Sequence, residues 1–228
     1  QESEAFRLKY ISAGPLATAE LASEQALDEI IHFANISRNG LGYVKQAVEE
    51  NNADKFEQLD KKLVKYEEIS DRIEYEIATF LNNVSNESIS EATSVKIKAM
   101  YKIIGELESL GDSGSAISRI LSRRNSHKKT FDEATIKKLQ EMIELVDCAY
   151  EVMIDNLTKA KKGSVEDISN AYNAENHINA LRNKLRDREI EDIETGEKNY
   201  QTSVYYMDIV NELEKPGRDV RDSLPQPI

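Results

Sequence analysis

Apolar residues recur at steps of three and four along most of the chain. Phe56, Leu59, Leu63, Tyr66, Ser70, Ile73, Ile77, Phe80 and Val84 form one unbroken series. Met100, Ile103, Leu107, Leu110, Gly114, Ile117 and Leu121 form a second. Ile136, Leu139, Ile143, Val146, Tyr150, Met153 and Leu157 form a third. An earlier stripe runs through Leu27, Ile30, Ile31, Ala34, Leu41, Val44 and Val48. Such spacing puts an apolar stripe on one face of an α-helix and leaves the polar residues on the wet face. The prolines are Pro15, Pro216, Pro225 and Pro227, so nothing between Pro15 and Pro216 forbids long helices.

Start and stop signals divide the stripes. Gly14-Pro15 suits a first helical turn. Asn51-Asn52 breaks one helix from the next, and Ser88 with Glu91 and Thr130 with Glu133 read as capping boxes. Lys161-Lys162-Gly163 reads as a helix end, with cations at the negative end of the dipole and glycine as the left-handed cap. Ser164 starts the next helix, and Thr195-Gly196 marks a further turn. The expectation is all-α, with six helices near 15–50, 53–84, 89–124, 131–162, 165–192 and 197–222.

Residues 1–14 read as an extended segment, because Phe6, Leu8 and Tyr10 alternate with Arg7 and Lys9. Residues 223–228 read as a frayed tail. A linker over Arg123–Thr130 divides the helices into two antiparallel three-helix bundles, 15–124 and 125–222. A weak repeat supports the division: Glu106-Leu107-Glu108 with Gly111 returns as Glu212-Leu213-Glu214 with Gly217, and Glu67/Asp71 returns as Glu175/Asn179.

Composition narrows the partners. The 228 residues include 42 Asp and Glu against 30 Lys and Arg, a net charge of −12. That balance argues against nucleic acid and anionic lipid, which need clustered cations. The single cysteine, Cys148, allows no intrachain disulfide, favours a reducing compartment, and reads as a buried, inert thiol beside the apolar stripe. No apolar run approaches the roughly 20 residues of a membrane helix, and no signal peptide is visible. A chain that starts at Gln1 reads as a processed product or a piece of something larger.

The strongest chemical pattern is Glu-x-x-x-Asp, present as Glu67/Asp71 and Glu108/Asp112 on successive helices. A spacing of four stacks two carboxylates on one helix face, where they repel by a few tenths of a kcal/mol. If the two helices pack antiparallel, the pairs meet and a multivalent cation relieves the repulsion. Carboxylate oxygens suit hard ions such as Mg, Mn, Ca or ferric iron. The plain alternative is a solvated face, since 32% of residues are charged. Glu108 and Asp112 also fall off the seam of Leu107 and Leu110, on an outer face.

Other patterns carry less. Glu29-x-x-His32 is half of a di-iron ligand set with no second copy. Gly111-Asp112-Ser113-Gly114 copies the string around a trypsin-type nucleophile but lies on a helix stripe, where the glycines more simply permit close helix approach. His127 and His177 show no partners, and Tyr200, Tyr205 and Tyr206 read as packing residues. No nucleophile, base and orienting group come together, so no enzyme is expected.

Glu106-Leu107-Glu108-Ser109-Leu110-Gly111-Asp112 resembles the ELERIGD signature of PhoU-type proteins, and Glu67-Glu68-Ile69-Ser70-Asp71-Arg72-Ile73 resembles the other motif of that family. The likeness covers about residues 15–222. The opening, Phe6 to Ile11 and then Gly14 to Glu20, is similar to the junction after the membrane part of bacterial sodium/phosphate cotransporter family proteins, which carry a PhoU-like domain. The resemblance implies two three-helix bundles and an iron or zinc cluster on a bundle surface, held by Glu67, Asp71, Glu108 and Asp112. It implies a regulatory domain on the cytoplasmic side of the inner membrane, partnered by the transport domain of its own full-length protein or by a signalling protein. The second half departs from the family pattern. Asn179 replaces an Asp, and Glu214 is followed by Pro216 and Arg218 with Asp219 one place late. Glu175, Glu214 and Asp219 therefore mark a degenerate second site. The rival expectation is a helical scaffold or adaptor without metal.

Overall fold

The structure is a computed structural model that describes residues 8–11, 18–161, 180, 183–184, 186–194 and 200–223. Among them every regular element is helical. Helix α1 spans Ala19–Glu49, α2 Ala53–Ser85, α3 Glu91–Ser126 and α4 Glu133–Lys161. Helix α5 is described over 186–194, and α6 spans Tyr200–Ser223.

The caps show why the helices start where they do. Thr18 is extended and accepts from the Leu21 N–H, so α1 begins at Ala19. Asn52 caps α2 through the Lys55 N–H. Two caps correct the sequence expectation. Ser90, not Ser88, accepts from the Thr93 N–H and starts α3. Asp132, not Thr130, accepts from the Thr135 N–H at 2.7 Å. In both cases a side-chain oxygen directly before the first helical residue outcompetes one lying farther out, because only the nearer oxygen reaches the open amides of the first turn. Helix α3 runs two residues past its expected end, and Lys128 then turns the chain in the left-handed region at φ 54°. Helix α6 continues through Pro216.

Helices α1, α2 and α3 pack on one another, α4 packs on α1, and α6 packs on α3 and α4. The buried apolar cluster draws on α1, α2, α3, α4 and α6. The expected seams of α1, α2, α3 and α4 together supply most of it. In α2, Leu81 is fully buried and Phe80 only half-buried, so the seam steps one residue from the expected position. Cys148 is exposed, against the expectation of burial. Val146, Ala149 and Tyr150 face the core, and 148 lies on the opposite side of the turn. Tyr206 is buried, but Tyr200 is exposed and is not a packing residue.

Polar contacts fix the interfaces. Arg38 on α1 donates from Nε and Nη2 to both oxygens of Asp147 on α4, at 2.7 and 2.8 Å. Lys45–Glu144 and Gln140–Glu49 extend this seam along the antiparallel pair. Arg124 is fully buried at the end of α3 and donates to the Val48 carbonyl of α1. Its guanidinium also lies 4.6 Å from the Phe131 ring centroid. Helix α1 has no cation in its own last turn, so Arg124 meets the negative end of its dipole from outside. Among the described residues no helix is long and apolar enough to cross a membrane.

Candidate metal centre

Helices α2 and α3 approach closely where Gly111 meets Ser70. A Cβ built on Gly111 would lie 2.7 Å from Ser70 Oγ and 3.6 Å from Glu67 Cα. Only a residue without a side chain fits there. The contact holds the Glu67–Asp71 turn of α2 against the Glu108–Asp112 turn of α3.

The consequence is a carboxylate cluster. One oxygen from each of Asp71, Glu108 and Asp112 lies within 4.8 Å of the others. Asp71 and Asp112 are exposed and Glu108 is half-buried, so the group sits on the outer face that the seam predicted. Glu67, expected as the fourth member, is not in this group. Its carboxylate lies 3.9 Å from Arg119 Nη1. The string Gly111-Asp112-Ser113-Gly114 is helical, and Gly111 serves close helix approach, whereas a Cβ on Gly114 would meet Leu63 and Val44 at an ordinary 3.6 Å.

The cluster is electrostatically loaded. Partial burial, the charge of Asp112, a hydrogen bond donated to Asp112, and the charges of Asp71 and Glu74 push the Glu108 carboxyl up to about 7. Asp112 is also raised, by partial burial and by the charges of Asp71 and Glu67, although the bond from Glu108 and the charge of Arg119 pull it down. Below about pH 7 Glu108 therefore keeps a proton that eases the repulsion in place of a counter-ion. A cation there would displace that proton. The donors are oxygens alone, with no histidine or cysteine in the group. They fit a hard ion, ferric iron included, better than zinc, which favours nitrogen and sulfur.

Sequence reasoning missed two contributors. Glu74 lies three residues after Asp71 and Arg119 seven after Asp112, spacings that return to the same helix face. In the second half, Glu214 is buried in α6. Glu175, Asn179, the side chains of Arg218 and Asp219, and His177 lie outside the described residues.

The remaining candidates have local protein partners. Glu29 is buried and accepts from the Tyr10 N–H at 2.6 Å. His32 is half-buried, edge-on to Tyr10 at 6.0 Å between centroids. His127 has a partner after all, with Nδ1 2.7 Å from the Tyr205 hydroxyl. Comparison of the chain with family models, with curated proteins and with solved structures finds no match in any of the three.

Proposed function

We propose that this chain is a PhoU-like, non-enzymatic regulatory domain of a sodium-dependent phosphate transporter, acting at the cytoplasmic side of the inner membrane. The observation that carries the reading is the meeting of Asp71, Glu108 and Asp112 across α2 and α3. These are the residues that the motif likeness singled out, on a bundle surface. In this reading α1–α3 form one three-helix bundle and the rest of the chain a second, degenerate copy. The carboxylates hold an iron cluster or another hard cation. Occupancy biases how the bundles present themselves to the transport domain of the same protein or to a signalling partner.

The test is sodium-dependent phosphate uptake by cells carrying the complete reading frame, native or Glu108→Ala/Asp112→Ala. The reading expects uptake to lose its response to phosphate supply in the double variant. An unchanged response would remove the regulatory role.

The raised titration of the Glu108 carboxyl beside Asp112 favours a second reading. A proton held there relieves the repulsion without metal, as a plain helical scaffold or adaptor would require. Metal analysis separates the two.

A further inference from the structure

A groove of about 770 Å³ runs between α3 and α6, within the size range of small-ligand sites. Its lining inverts the charge of the molecule. Arg119, Arg123 and Lys215 face Asp208 and Glu212 there, in a chain whose net charge is −12. Arg119 and Arg123 are four residues apart, so two like charges stack on one helix face and repel.

The carboxylate partners of the two arginines are loose, whereas Lys215 is held by Glu212 at 2.7 Å. Arg119 reaches Glu67 at 3.9 Å and Arg123 reaches Asp208 at 4.0 Å, each through one nitrogen. Both side chains are more than half exposed, so most of each guanidinium fork faces solvent. The Ser115 hydroxyl holds Arg119 Nη1 at 2.9 Å and so limits where that fork points. Arg186 donates to Asn211 Oδ1 at 2.7 Å, which fixes the amide and leaves its two N–H donors without a bond to Arg186. The Ser122 hydroxyl completes a lining rich in donors.

From this convergence of donors we propose that the α3/α6 groove binds a small oxyanion, of the phosphoryl or carboxylate kind, between Arg119 and Arg123 of α3 and the Asn211 amide of α6. Planar guanidinium forks match both chemistries bidentately. The groove uses none of the three clustered carboxylates and shares only Arg119 with their surroundings, so oxyanion binding and metal binding are read by separate measurements.

The test is calorimetric titration of the whole chain, stripped of metal and dialysed free of chelator, with inorganic phosphate and with acetate at constant ionic strength. Saturable binding of one or both is expected, and the tighter of the two names the source. Arg119→Gln/Arg123→Gln should weaken it roughly tenfold or more. Lys61→Gln, at an exposed cation on α2, should leave it unchanged. Absence of saturable binding, an unaffected double arginine variant, or equal weakening by Lys61→Gln would each overturn the proposal. Both arginines are exposed, and circular dichroism verifies that the variants fold.

Discussion

Gly111 of α3 lies against Ser70 of α2 so closely that a Cβ there would come within 2.9 Å of Ser70 Cβ. The obstacle is not the tip of a flexible side chain, so α2 and α3 would have to part. Gly111→Ala should destabilise the fold by about 1–3 kcal/mol, as overpacking does. Gly105, on the same helix, has no atom near its Cβ position. Gly105→Ala should stabilise by about 0.5–1 kcal/mol by removing backbone freedom from the unfolded chain. Denaturant unfolding of the two variants reads the opposite signs.

The cluster predicts a pH dependence. Glu108 ordinarily titrates at 4.5 and here at about 7. Between those values the folded chain keeps a proton that the unfolded chain has lost. Stability must then fall as pH rises through that window. Asp112 is shifted in the same direction. Thermal melts of metal-free protein from about pH 5 to about pH 8 should show the decline, and Glu108→Gln should flatten it. A hard divalent or trivalent cation should restore the melting temperature at the upper end.

Arg124 is a buried cation whose guanidinium hydrogen bonds go to neutral groups, the Val48 carbonyl and the Asn125 side-chain oxygen. Burial lowers it to about 10. Arg124→Met would leave the Val48 carbonyl without this donor and should cost about 1–3 kcal/mol. Arg124→Lys should not restore the loss, because an ammonium cannot span both acceptors in the guanidinium plane. Chemical unfolding of the two variants checks this.

The Arg38–Asp147 fork ties α1 to α4 with partial shielding from water. A double-mutant cycle with Arg38→Met and Asp147→Asn should give a coupling of about 0.5–1.5 kcal/mol that shrinks with added salt. A coupling indistinguishable from zero at low salt would reduce the fork to decoration.

Much of the architecture was legible because helix periodicity is a local signal. Ile73, Leu107, Val146 and their neighbours sit where the spacing puts them. Caps were read less well: Ser90 and Asp132 replaced Ser88 and Thr130 because sequence shows candidate oxygens but not which one reaches the amides. The same limit applies to Cys148, one residue off the seam and therefore outside. At the site, spacing placed each acidic pair on one helix but said nothing of the register between helices. That register depends on Gly111 meeting Ser70. It brings Asp71 to Glu108 and Asp112 and gives Glu67 to Arg119, a pairing between residues of different helices that no local pattern carries.

The most direct test of the central claim is elemental analysis of the purified chain after iron or zinc loading, beside Glu108→Ala/Asp112→Ala treated alike. The account predicts stoichiometric metal, iron over zinc, in the native chain and its loss in the variant. No bound metal in the native chain, or equal metal in both, would contradict it.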